Sequence, residues 1–101
     1  MPRIQGLEET GVLTGSEVIK SAPGYVFSIT LSWAGATAGD KVYLIDHTAD
    51  SADPAKQEVV FVLPTTNGTI TKEWPQGKKF DTGIYYKEGT PEKCYVAMTF
   101  K

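Results

Sequence analysis

The stretch "GYVFSITLSW", Gly24 to Trp33, decides the fold class. From Tyr25 onward every odd position is large and apolar: Tyr25, Phe27, Ile29, Leu31 and Trp33. The even positions are Val26, Ser28, Thr30 and Ser32. Alternation of period two belongs to a half-buried β-strand, because successive side chains point to opposite faces. The odd face, Tyr25 to Trp33, is therefore read as one inner wall of a core.

Other strands follow on both sides of this one. "SEVIKS" at 16–21 is a short strand, broken by the turn pair Pro23-Gly24. After the small, Gly-rich loop 34–40 comes "KVYLID" at 41–46. A polar loop, 47–56, leads to "QEVVFVL" at 57–63, a dense β-branched and aromatic run that Pro64 ends. Asn67-Gly68 is a strong hairpin signal, because both central residues of a type I′ turn take positive φ. "TITKEW" at 69–74 is the expected return strand, stopped by Pro75. "IYYK" at 84–87 and "KCYVAMTF" at 93–100 are the last two, separated by an "EGTPE" turn.

Seven to eight short strands with regular turn signals and no helical period predict an all-β fold. There is no room for the long crossovers that parallel strands need, so the pairing is antiparallel. The expected architecture is a single antiparallel β-sandwich, jelly-roll-like or Ig-like, over residues 15–101. Residues 1–14 have no sustained period and read as an extended N-terminal arm. It would dock on its own domain or on a neighbour, with Ile4 and Leu7 as anchors.

The 101 residues suit one domain with one core. A hydrophobic fraction of 41% and a net charge of -2 argue against disorder and give no electrostatic drive toward nucleic acid or an anionic membrane. No apolar run reaches the ~18 residues of a membrane span, and "MPRIQGLEETG" lacks the apolar core of a signal peptide. Synthesis in a cytoplasm is the expectation. The single cysteine, Cys94, lies in an apolar alternation and reads as a buried, inert thiol.

Chemistry is thin. His47 is the only histidine, which excludes any site needing two. Asp46 stands beside it, but no serine has a nucleophile-elbow context. Asp46, Asp50 and Asp53 share one loop and are weighed as calcium ligands; the EF-hand spacing is absent, and Asp and Ser are common turn formers. No catalytic residue, metal ligand or cofactor site is assigned, and a small-molecule ligand is not expected. The 11% aromatic content is the more informative feature. Trp33 and Trp74 stand at strand ends, while Tyr43 and Tyr85 fall on the faces opposite Leu44 and Ile84. Tyr and Trp are enriched at interfaces, so Ile4, Leu7, Trp33, Tyr43, Trp74 and Tyr85 are the candidate interface residues. A row of exposed aromatics flanked by Asn, Asp or Gln would point instead to a sugar-binding face.

Three stretches carry a family resemblance: "VLTGSEVIKSAPGYVFSITLS", "GDKVYLIDHTADSAD" and "KKFDTGIYYKEGTPEKCYVAMTF". In this order they resemble short virion proteins of tailed phages, single β-sandwich head-decoration (cement) or fibre-type proteins. The match spans residues 12–100, and its motifs are structural. The resemblance implies a non-enzymatic protein that binds the assembled major capsid protein and sits on the capsid surface. It also implies a homo-oligomer, with a trimer favoured. The alternative within the same resemblance is a tail, baseplate or fibre module that binds a host-surface glycan.

Overall fold

A computed structural model describes residues 7–51, 53–88 and 94–101. Eight strands follow in chain order: β1 (Glu8–Glu9), β2 (Glu17–Lys20), β3 (Gly24–Trp33), β4 (Lys41–Ile45), β5 (Gln57–Val62), β6 (Gly68–Phe80), β7 (Ile84–Glu88) and β8 (Cys94–Phe100). One 3-10 turn, Pro54–Lys56, precedes β5, and the described residues contain no α-helix. The strands form two sheets, ordered β1-β8-β3-β6 and β2-β7-β4-β5, with every pair antiparallel. The all-β antiparallel sandwich expected from the sequence is the observed fold.

The core lies between the two sheets. Ile29, Leu31, Val96 and Met98 come from the first sheet; Val42, Leu44, Ile84 and Tyr86 come from the second. Each set is spaced by two residues, as the pleat requires. Of the connections between strands, β4 to β5 is the only one joining neighbours in one sheet; from β2 onward the rest cross between sheets. Most of the sandwich is thus stitched by long-range pairing.

Strand β3 departs from the simple alternation. Val26 pairs with Phe100 and Ser28 with Thr99, so Phe27 is an extra residue opposite β8. The bulge reverses the phase. After it the odd residues Ile29, Leu31 and Trp33 face inward as expected. Before it the even residues Gly24 and Val26 are buried, Tyr25 is 39% exposed, and Phe27 is half-buried. Tyr25 and Phe27 therefore leave the inner wall. Period two cannot reveal this, because large apolar residues occupy the odd positions before, at and after the bulge.

Two further expectations change. Pro75 does not stop the strand: β6 runs on to Phe80. Between the pairs Val26–Lys78 and Ser28–Glu73, residues Trp74 to Gly77 loop out of the ladder. Proline is tolerated there because no ladder hydrogen bond is required of it and β6 is an edge strand. Gly77 closes the loop with φ +85°, a conformation that favours glycine. The Asn67-Gly68 hairpin is also absent. β5 and β6 lie in different sheets, and Gly68 has no positive φ. Gly68 is needed for space instead: a Cβ there would stand 2.6 Å from Cζ2 of Trp33.

The start of the described chain docks on its own domain. Glu8 and Glu9 pair with Phe100 and Thr99, and Leu13, which is buried, bridges Val96. Of the two arm anchors, Leu7 is half-buried and Ile4 lies outside the described residues.

Candidate interaction surfaces

The six candidate interface residues separate into groups. Trp33 is only 4% exposed, and its indole N–H donates to the carbonyl of Thr65 at 3.0 Å. It closes the core and offers no surface. Trp74 is half-buried against the margin of the core, with the Lys72 ammonium 6.0 Å from its ring centroid. Tyr43 and Tyr85 lie on the outer face of the second sheet, opposite the buried Leu44 and Ile84.

That outer face sets exposed apolar side chains among Lys41, Lys87 and Glu58. Register places Val18 beside Tyr85, and Lys87, Tyr43 and Val60 in one row across β7, β4 and β5. Val60 is 43% and Val62 53% exposed. Lys87 lies 5.7 Å from the Tyr43 ring centroid and 3.0 Å from the Asp50 carboxylate. Asp50 thereby reaches from the loop after β4 onto the Lys87 ammonium, while Val60 and Val62 stand exposed on β5. The exposed valines escaped the sequence reading because "QEVVFVL" looks like a strand buried on both faces. In a two-layer sandwich only one face of each sheet meets the core, so the other is bared.

The outer face of the first sheet is different. Apart from Tyr95, which is 56% exposed beside Ser32, its side chains along β3 and the facing part of β6 are small and hydroxylated, and they pair across strands. Ser28 and Thr99 share a hydrogen bond of 2.6 Å, Ser32 and Thr69 one of 3.2 Å, and Thr30 and Thr71 one of 3.4 Å. Such pairs stabilise a sheet but present little area for a partner to bury.

A third surface comes from the two bulges. Tyr25 and Phe27, with ring centroids 6.4 Å apart, pack over Gly77, where a Cβ would lie 3.1 Å from Tyr25 and 3.2 Å from Phe27. They open a cleft of about 280 Å³ that is also lined by Lys20, Gln76 and Lys101. Gln76 borders a second cleft, against Trp74 and Pro75.

The loop aspartates have separate structural tasks. Asp46 accepts the backbone N–H groups of Asp81 at 3.0 Å, Thr82 at 2.7 Å and Gly83 at 3.3 Å, fastening the end of β4 to the β6–β7 turn. Partial burial pulls its pKa upward, but the N–H groups of Thr82, Asp81 and Gly83 and the charge of Lys56 outweigh that. The carboxyl is held below its ordinary value of 3.8. Asp50 pairs with Lys87, and Asp53 caps the 3-10 turn by accepting the Ala55 N–H. Among the described residues no three metal-ligating side chains converge. His47 accepts the N–H groups of Thr48 and Ala49 on Nδ1, which turns the chain after β4. Cys94 is buried, and burial, with the charges of Glu88 and Asp40, pushes its thiol up to about 11. This disfavours the reactive thiolate.

Asp46 gives a pH prediction. A carboxyl with a lowered folded pKa contributes stability above its unfolded value, and that contribution is lost as pH falls through the folded value. Asp46→Ala should cost about 1–2 kcal/mol at pH 7, since three N–H groups lose a charged acceptor at a site open to water. The gap between variant and wild type should narrow below about pH 3.8. Urea unfolding at pH 7 and pH 3 measures both; an unchanged gap would remove the linkage.

Compared with protein-family models, with curated proteins and with solved structures, the chain matches none.

Proposed function

We propose that this chain is a non-enzymatic structural protein of a tailed-phage virion, a decoration protein that binds the assembled capsid shell and stabilises it. The observation that supports it is the β4–β5 end of the outer face of the second sheet, where Tyr43 stands beside Val60, 43% exposed, with Val62, 53% exposed, next along the strand. Contiguous exposed apolar area on a small domain marks a docking surface. A tyrosine supplies large contact area with a polar tip that can meet a wet interface. Repetition over a capsid lattice makes modest affinity per copy sufficient. The sequence resemblance supplies the identity of the partner, the major capsid protein.

The test is co-sedimentation of labelled protein with assembled capsids of the phage that encodes it. Binding at a fixed number of copies per capsid is expected. Tyr43→Ser should weaken it about tenfold or more, the effect of losing an interface anchor. Failure to sediment with capsids would sink the reading.

One observation favours a second reading, a glycan-binding module of a tail or fibre. Tyr25, Phe27 and Gln76 line one open cleft, an aromatic platform beside an amide. On that reading host polysaccharide binds the isolated protein, and Tyr25→Ala abolishes the binding while capsid association is absent.

A further inference from the structure

We propose that β5 is the interface between two copies of this chain, joined edge to edge about a two-fold axis into one continuous eight-stranded sheet. The inference does not depend on the capsid reading; it follows from how the four sheet edges differ.

An open edge invites pairing with another chain, and natural edges are blunted by charges, prolines, bulges or short length. Three edges here are blunted in those ways. β1 has two residues, both glutamate. β2 has four residues, with Glu17 and Lys20 and an irregular register between Val18 and Lys20. β6 carries Pro75, the loop-out at 74–77, and Lys72, Lys78 and Lys79. β5 is the exception. Its one irregularity, at Glu58, falls at its start, and Val59–Val62 runs in regular register against Leu44–Lys41 with no charge and no proline.

The backbone of β5 is directed for pairing. Leu63 donates its N–H to Asp40 at 2.8 Å, toward β4. Backbone groups alternate along a strand, so Phe61 and Val59 also point to β4, and Val60 and Val62 point to the open edge. Those two residues carry the exposed side chains of the outer face. On the inner face Val59 and Phe61 are only partly buried, at the margin of the core. A second strand laid on this edge therefore covers apolar surface on both faces while satisfying backbone groups.

The charges select a second copy and a register. With Val60 opposite the partner's Val60, Val62 faces the partner's Glu58. Lys41 pairs with Val62 within the chain, so it comes to lie two strands from the partner's Glu58. Neither Lys41 nor Glu58 has an ion-pair partner among the described residues. Two symmetric Lys–Glu pairs then form over the two valines, one on each side of the axis. Because the two-fold uses the same edge of both copies and leaves only blunted edges outside, assembly closes at the dimer. The geometry thus favours a dimer over the trimer that the sequence resemblance implies.

The experiment is a concentration series by sedimentation equilibrium, with hydrogen exchange on the same samples. Wild type should pass from the 11.0 kDa monomer to twice that mass. The Val60 and Val62 amides should be protected only in the dimer, since β5 is an edge strand and no described residue of the monomer is shown accepting from them. Val60→Lys opposes two ammonium groups on the axis and should weaken dimerisation at least about a hundredfold; a circular-dichroism melt checks that the variant stays folded. Lys41→Glu and Glu58→Lys should each weaken it about three- to tenfold, and the double reversal should recover it to within about twofold. A protein that stays monomeric to millimolar concentration, a trimer, or unprotected Val60 and Val62 amides in a dimer would overturn the proposal. A double reversal as weak as the two singles combined would overturn the register.

Discussion

Deleting Thr30 is expected to unfold the domain at room temperature, whereas deleting Phe27, three residues earlier in the same strand, is expected to leave it folded. The two deletions remove one residue each and differ only in phase. Without Phe27 the inward set Val26, Ile29, Leu31 and Trp33 becomes a plain alternation, and the one-to-one register with β8 is restored. The loss is limited to the half-buried Phe27 ring and its contact with Gly77, about 1–2 kcal/mol. Without Thr30, Leu31 and Trp33 can keep their places only if Ile29 turns outward and Ser28 takes its place in the core. Losing a fully buried isoleucine and burying a hydroxyl there costs about 5 kcal/mol. That is comparable to the total stability of a domain this size. Thermal melts of the two deletions decide it. Equal destabilisation would show that Phe27 is not the spare residue of the bulge.

The second large effect separates the two tryptophans. Trp33→Ala should cost about 3–5 kcal/mol, because it empties a nearly closed site and leaves the Thr65 carbonyl without its indole donor. Gly68, which makes room for the ring, would then border a void. Trp74→Ala should cost about 1–2 kcal/mol, since that ring sits half-exposed at the margin of the core and its neighbouring lysine is solvated. Urea midpoints with unchanged slopes measure the difference. If the two substitutions cost the same, the core placement of Trp33 is wrong.

The candidate surfaces were legible in part. Tyr43 and Tyr85 could be assigned an outward face because each neighbours a core residue in a regular strand, and the pleat then dictates direction. Trp33 could not, because the end of a strand looks alike whether a loop covers it or not. Here the chain from Thr65 to Gly68 covers it. Val60 and Val62 were hidden for a related reason: a β-branched run has the same composition in a central strand and at an edge. The Tyr25–Phe27 cleft was hidden most completely, since its rings appeared to continue the inner wall.

By itself, the sequence determined the number and position of the main strands, their antiparallel pairing and the sandwich class. These follow from local properties, alternation and turn chemistry, that each segment carries without its neighbours. Only the tertiary structure decided which face of Tyr25 and Phe27 meets water, that β6 continues past Pro75, and that Asn67-Gly68 joins two sheets instead of closing a hairpin. It also decided that β5 is an edge. The physical reason is common to all four. The phase at a bulge, the tolerance of a proline and the exposure of a valine depend on which strand lies alongside, and partners distant in the chain make that choice.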